Sequence, residues 1–157
     1  MDDYIKQRVE PVIAAHGHAI QYVGDPDDEL QTFGYTVGLA AQGIPEILII
    51  ARLAPDSLIS IVNNAVTKLK SSSPLRLAGD YDEVIAGYAV RLREVSVAAF
   101  TEYGLIASKW AYSHGITISR ALQLVLPDEL GRFPDEPHYN WVPITLLAPP
   151  APPTPAH

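Results

Sequence analysis

Cysteine is absent from this chain, and its absence removes several classes of chemistry at once. Without cysteine there is no disulfide, no thiolate nucleophile and no zinc site built on sulfur ligands. The chain must therefore fold on its hydrophobic core alone. At 157 residues it is long enough to do so, because a domain of this size buries about two thirds of the surface of its unfolded chain.

Positive charge is also scarce. The chain has 11 lysine and arginine residues against 18 aspartate and glutamate residues, which gives a net charge of −7. The basic residues form no cluster along the sequence. Proteins that bind nucleic acid draw much of their affinity from lysine and arginine contacts to phosphate, and anionic membranes attract basic clusters in the same way. We therefore expect no nucleic acid and no membrane among the partners.

Long hydrophobic runs are missing as well. The first ten residues, MDDYIKQRVE, are acidic and have no apolar centre, so they do not resemble a signal peptide. The longest apolar run is far shorter than the roughly 20 residues that a membrane-spanning helix needs. Apolar residues make up 48% of the chain and charged residues 18%, as in globular proteins. Together these features predict a soluble, cytoplasmic protein.

The spacing of apolar residues predicts an α+β or α/β fold. Helical spacing covers residues 3–16, 55–71 and 97–113, and strand patterns cover residues 18–23, 33–40, 46–51, 88–95 and 121–127. We expect a mixed sheet of about five strands packed with three helices, in a single domain of residues 1–147 with strand 88–95 at an edge. The last ten residues, 148–157, contain five prolines, which predicts a mobile, extended tail.

No strong catalytic motif stands in the sequence. A glycine-rich phosphate loop with lysine, a G-x-S-x-G turn and an H-E-x-x-H helix are all missing. His16 and His18 would share one face of a strand, as two metal ligands do, but no third ligand is obvious nearby. We interpret His16 as a helix C-cap instead, and we predict no metal and no cofactor.

Glu46 is the most informative polar residue. It follows Ile44-Pro45 and enters a strand that is otherwise apolar on both faces. A carboxylate in that position must be hydrogen-bonded, paired with a cation or used in chemistry. The cations available for a structural pair are Arg52, Arg91, Arg93 and Arg120. We predict that Glu46 is buried at the start of a central strand and joins the strand of Tyr35 to an arginine or to backbone amides.

A few other residues are weak candidates for a site. The catalytic candidates are Tyr35, Glu46, His114 and Asp128, and the binding candidates are Gly34, Thr36, Gly38 and Arg132. Asp128 follows a strand at its carboxyl end, where α/β folds place functional groups. Each candidate also has a structural interpretation: the hydroxyls satisfy core partners, His114 caps a helix, and Asp128 accepts turn amides.

Four stretches in combination resemble a known family. They are the pair Gly17-His18 before a strand, then FGYTVGL, IPEILII and LQLVLPDELGRFPDEP, and they extend from about Gly17 to Pro137. The combination is similar to a bacterial family catalogued as domain of unknown function 4262. The resemblance implies a small cytoplasmic protein of bacterial or phage origin, without an assigned activity. Where the family often carries an aromatic residue this chain has His18.

Two functions are compatible with the sequence. The first is a non-catalytic binding or regulatory protein, whose partner is a protein or a small molecule and which is able to form a homodimer. The proline-rich tail and the expected edge strand would serve a protein partner. The second is a small hydrolase or transferase with a carboxylate-centred pocket built from Tyr35, Glu46, His114 and Asp128.

Overall fold

A six-stranded mixed sheet forms the centre of the molecule. The computed structural model describes residues 2–25, 28–71, 78–141 and 145–150. The strands are β1 (Ala19–Asp25), β2 (Asp28–Val37), β3 (Glu46–Ile50), β4 (Gly79–Ile85), β5 (Tyr88–Val95) and β6 (Ala121–Val125). Their order across the sheet is β1-β2-β3-β6-β5-β4. The central pair β3–β6 is parallel and every other neighbouring pair is antiparallel.

Four α-helices surround the sheet. They are α1 (Glu10–His16), α2 (Pro55–Ser71), α3 (Val97–Tyr103) and α4 (Leu105–Ser113). A π-helical turn, Ile5–Val9, precedes α1, and a 3-10 turn, Leu39–Gln42, joins β2 to β3. Helix α1 ends at Gly17, whose φ of +88° is incompatible with a right-handed helix. Within the described ranges, no helix has both the length and the apolar character needed to cross a membrane.

Side chains that alternate along β3 feed two separate hydrophobic cores. Ile47 and Ile49 pack with the apolar stripe of α2 on one face of the sheet. Leu48 and Ile50 pack on the other face with residues of the π-helical turn, α3 and α4. All five residues of β3 are buried because the strand is covered on both sides. This two-sided burial explains why the strand reads as a continuous apolar run.

The predicted fold class is confirmed: the chain forms a single α+β domain with a mixed sheet. The strand count is six rather than about five because β4 forms in the acidic stretch GDYDEVI. Only Tyr81 and Val84 of this strand are buried, and Glu83 between them has a φ of +65° that disrupts the pairing with β5. Such a pattern does not alternate regularly, so the neighbouring strand, rather than the local sequence, selects the extended conformation.

The prediction that strand 88–95 lies at an edge is wrong. Strand β5 occupies exactly those residues in register with two neighbours, β6 on one side and β4 on the other. The edges are β1 and β4. Arg91 and Arg93, which suggested a solvent-facing strand, are instead held by Asp80 of β4 and Gln123 of β6. The support that strand 88–95, as a free edge, gave to a protein partner is therefore lost.

Two predicted boundaries also differ from the structure. The helix expected over residues 97–113 is interrupted at Gly104, which leaves the helical conformation and separates α3 from α4. The strand expected over residues 33–40 ends at Val37, because Gly38 has a φ of +109° and starts the 3-10 turn. In both places a glycine ends an element whose apolar pattern continues past it.

The segment after β6 returns to the sheet before the chain ends. The buried side chain of Gln123 donates to the Thr145 carbonyl at 2.7 Å and accepts from the Leu147 amide at 2.9 Å. The Ser96 amide donates to the Ala148 carbonyl at 2.8 Å. Residues 145–148 are thus bound to the domain. Most of the predicted tail, residues 151–157, lies outside the described residues, and the boundary after residue 147 stays a prediction.

Gly34 sets how closely α2 approaches the sheet. A Cβ atom at this position would lie 2.3 Å from Leu58 Cδ2, and Leu58 is fully buried. We expect Gly34→Ala to lower the free energy of unfolding by about 1–3 kcal/mol, the usual cost of overpacking. Urea unfolding measures the loss. In a Leu58→Ala background the same change should cost clearly less, and additive costs would contradict this explanation.

Candidate functional site

The carboxylate of Glu46 is fully buried at the start of β3. It accepts four hydrogen bonds, of 2.8–3.3 Å, from the Thr36 hydroxyl and from the amides of Gly38, Leu39 and Ala40. The Thr36 hydroxyl in turn accepts from the Ile47 amide at 2.9 Å. The predicted burial of Glu46 and its link to the strand of Tyr35 are observed, with backbone amides and not an arginine as the partners.

The protonation of Glu46 reflects two opposing effects. Burial raises its pKa, while the hydrogen bonds from Thr36 and from the three amides lower it, and the outcome is a pKa of about 7. A carboxylate with a pKa near neutrality is a feature of many general acids and bases. However, both oxygens of Glu46 are already occupied by internal donors. The contacts therefore describe a structural carboxylate that joins β2, the 3-10 turn and β3.

The neighbouring candidates serve the packing of the helices. Tyr35 is buried against Phe100, and its hydroxyl accepts from the Ile106 amide at 3.1 Å, so that it caps the first turn of α4. Burial raises the pKa of Tyr35. A Cβ on Gly34 would overlap Leu58 of α2, and one on Gly38 would meet Ile13 of α1. The space beside these two glycines is occupied by helices and leaves none for a ligand.

His114 is the C-cap of α4, as its structural interpretation predicts. Its Nε2 lies within hydrogen-bonding distance of a Glu10 carboxylate oxygen, and its ring packs on Trp110 with 4.6 Å between the ring centres. These contacts tie α4 to the first turn of α1. His114 therefore joins two helices and has no contact with Glu46.

Asp128 organises the loop that follows β6. Its buried carboxylate accepts from the backbone amides of Leu130, Arg132 and Asn140 and from the Arg132 guanidinium, over distances of 2.8–3.0 Å. Burial alone would raise the pKa of Asp128, but these hydrogen bonds outweigh it and lower the pKa to about 2. Nearby, burial and the charge of Asp128 raise the pKa of Tyr139 to about 12. Asp128 and Arg132 are thus each other's partners.

The four catalytic candidates do not form one pocket. Glu46 opens β3 opposite Ala121, the first residue of the parallel strand β6, whereas Asp128 lies beyond the end of β6. The two carboxylates are therefore at opposite ends of the sheet. Tyr35 and His114 are engaged with α4. The geometry that a hydrolase or transferase with a shared carboxylate pocket would require is not present in these residues.

A different set of side chains converges on a cleft between α2 and β1, which we name the α2–β1 cleft. Its volume is about 570 Å³. Its apolar lining includes Val12, Ile20 and Ile59. Its polar lining is formed by His16, His18, Asn63, Thr67 and Lys70. Three chain segments contribute: the end of α1, the start of β1 and one face of α2.

His18 lies at the centre of the polar lining. Its Nε2 is 2.8 Å from Asn63 Oδ1, and because an amide oxygen only accepts, Nε2 carries the proton. Burial lowers the pKa of His18, and the charges of Lys70 and His16 lower it further against the opposing effect of the Asn63 bond. Its other nitrogen, Nδ1, is buried and has no hydrogen-bond partner among the described residues.

Comparison with known proteins identifies a family for this chain. The model of a domain of unknown function, DUF4262, matches residues 12–140. The chain belongs to this family. The predicted resemblance is thereby confirmed. No curated protein and no solved structure gives a significant match. In this DUF4262 domain the matched residues include the α2–β1 cleft as well as Glu46 and Asp128.

The α2–β1 cleft was not predicted because, of the residues that line it, only His16 and His18 stood out in the sequence. Ile59, Asn63, Thr67 and Lys70 follow one another at helical spacing along α2, so they form a single stripe beside its apolar face. A stripe of this kind is typical of a solvated helix face. Only the pairing of β1 with β2, far from α2 in sequence, brings His18 next to it. Among the described residues no group of three potential ligands can hold a metal ion.

The structural role of Glu46 predicts a specific pH dependence of stability. Its pKa rises from an ordinary 4.5 to about 7 on folding, so the folded DUF4262 domain binds more protons than the unfolded chain between these pH values. The contribution of Glu46 to stability is therefore full below pH 4.5 and is lost as the pH rises to 7, by on the order of 3 kcal/mol.

Glu46→Gln isolates this contribution. At pH 5 the variant should be less stable by about 1–3 kcal/mol, because the glutamine NH₂ group cannot accept from the Gly38 and Ala40 amides. The deficit should shrink towards pH 8, since glutamine has no charge to bury. Urea unfolding of both proteins from pH 5 to 8 measures it. Parallel stability curves would show that Glu46 does not titrate in this range.

The role of Asp128 predicts local loosening of one loop. In Asp128→Ala the amides of Leu130, Arg132 and Asn140 lose their acceptor, and we expect their hydrogen exchange to become about tenfold faster or more. Glu129→Ala is the matched control, because Glu129 is exposed and contributes only its backbone carbonyl, to Tyr88. Equal exchange rates in the wild type and Asp128→Ala would remove Asp128 as the organiser of the loop.

Proposed function

We propose that this DUF4262 protein is a cytoplasmic, non-catalytic binding or regulatory module, and that the α2–β1 cleft takes a small molecule. The proposal rests on one observation: several polar side chains line this cleft, and some of their hydrogen-bonding groups have no partner among the described residues. His18 Nδ1 is buried without a partner among the described residues, and the exposed Asn63 offers its amide NH₂ group beside it. Buried polar atoms without partners are uncommon in native proteins, so each one calls for an explanation.

In two other clefts among the described residues the cation is already paired. A cleft of about 140 Å³ at the amino ends of β3 and β6 contains Arg120, but that guanidinium forms two hydrogen bonds with Glu94. A wider cleft of about 750 Å³ contains Lys109, which pairs with Asp2 at 3.8 Å. Trp110 and Tyr139 also have buried polar atoms without partners, but they line none of these clefts.

Size and lining favour a small molecule over a protein partner. Ligand sites are mostly apolar concavities of about 300–1,000 Å³ with a few convergent polar groups, and the α2–β1 cleft has that character. Strand β5, once expected to offer a free edge to a protein, is internal to the sheet. A role for the proline-rich tail, a homodimer and a bacterial or phage origin stay predictions that no contact described here tests.

A blocked cleft tests the proposal. Thr67 is an exposed residue of α2 that lines the cleft, and Thr67→Phe fills the space beside it. We expect at least one compound of a small-metabolite library to raise the Tm of the wild type by about 3–5 °C when present at ten times its Kd, as mass action requires. The same compound should leave the Tm of Thr67→Phe unchanged.

Ser57→Phe is the matched control. Ser57 is an exposed residue of the same helix that does not line the cleft, and it lies about 80° around the helix axis from Thr67, on the side away from Asn63 and Lys70. This variant should therefore bind like the wild type. A library without stabilising compounds would count against the proposal. Compounds that stabilise all three proteins equally would place binding elsewhere on the molecule.

A further inference from the structure

We infer that the ligand of the α2–β1 cleft is a small organic carboxylate with an apolar body, whose carboxylate pairs with the Lys70 ammonium beside His16 and the Asn63 NH₂ group. This inference rests on the proposed function and adds the chemical class of the ligand. It follows from the charges, the hydrogen-bond donors and the apolar surface of the cleft, which are independent observations.

The charge in the cleft is positive although the chain as a whole is acidic. A Cβ on Gly17 would lie 3.7 Å from Lys70 Nζ, so the ammonium is located at the backbone that joins His16 to His18. Lys70 forms no ion pair with any of the described residues. No aspartate or glutamate lines the cleft. A single exposed cation without a counter-ion among the described residues favours a ligand with one negative charge.

The donors around Lys70 suit the oxygens of a carboxylate. The Asn63 side chain uses its oxygen for His18, which leaves its NH₂ group to donate. The exposed imidazole of His16 adds a further donor on the side of α1. Donors that flank an ammonium give a carboxylate charge-assisted hydrogen bonds in addition to the ion pair.

The apolar part of the lining requires more than a bare anion. Val12 is 39% exposed at the cleft, and Ile20 and Ile59 continue the apolar surface from β1 and α2. A ligand whose apolar body covers this surface gains binding free energy, because apolar area is removed from water. A phosphate monoester carries a charge of about −1.5 to −2 at pH 7 and a carboxylate only −1, and Lys70 is the one described lysine or arginine that lines this cleft. We therefore choose carboxylate over phosphate.

Matched probes test the charge directly. Benzoate and hexanoate would be titrated into the ¹⁵N-labelled full chain at constant ionic strength, together with the uncharged benzamide and hexanamide and with phenyl phosphate. We expect the two carboxylates to shift the amide resonances of Gly17, His18 and Asn63, and to bind at least about tenfold more tightly than their amides, because only they pair with Lys70.

Variants at two lysines of α2 complete the test. Lys70→Gln should weaken carboxylate binding about tenfold or more, and Lys70→Arg should restore most of it. Lys68→Gln removes the same formal charge from the same helix. Because Lys68 pairs with Glu83 and does not line the cleft, this variant should bind carboxylates like the wild type.

The outcomes separate this inference from the proposed function. If an amide binds as well as its carboxylate, or if Lys70→Gln binds carboxylates normally, the anionic class is wrong while the cleft remains a binding site. Tighter binding of phenyl phosphate than of benzoate overturns the choice of carboxylate. If no probe shifts the cleft resonances and the library yields uncharged ligands that Thr67→Phe loses, only the class fails. If that library yields none, both fail.

Discussion

The carboxylate of Glu46 is the constraint on which the centre of the sheet depends. Four donors from β2 and from the 3-10 turn meet it where β3 begins, without solvent and without a cationic partner. Where the chain leaves a strand for a tight turn, the backbone amides no longer bond to a neighbouring strand. If they are buried, they need another acceptor. Glu46 supplies that acceptor, and in doing so it fixes the register in which β3 enters between β2 and β6.

The same arrangement gives both oxygens of Glu46 a structural role. A general acid or base must reach a substrate, whereas every hydrogen bond that Glu46 forms is directed to its own chain. Asp128 has the same role at the other end of the sheet, where its carboxylate accepts hydrogen bonds from the backbone amides of one loop. In both cases a carboxylate that looks catalytic in the sequence replaces missing backbone acceptors. The polar groups of the α2–β1 cleft are different because they leave donors unused.

The sequence was sufficient where burial dominates. The apolar run of β3 and the stripe of α2 are read from their own residues, since each element is buried over its whole length or along one face. Strand β4 and the break at Gly104 were not predictable in this way. The first depends on pairing with β5. At the second, the new helix is capped by the Tyr35 hydroxyl of β2, which accepts from the Ile106 amide, 71 residues later in the chain. Contacts of such sequence separation leave no local pattern.

The candidate site illustrates a further limit of composition. A net charge of −7 argues against polyanions such as nucleic acid, which need many cations along a surface. It does not argue against one small anion, because at physiological ionic strength charges more than about 8 Å away are largely screened. A ligand carboxylate in the α2–β1 cleft would face the Lys70 ammonium and the Asn63 NH₂ group, and no acidic side chain of the described residues lines the cleft. The local field, and not the total charge, therefore determines what this cleft can bind.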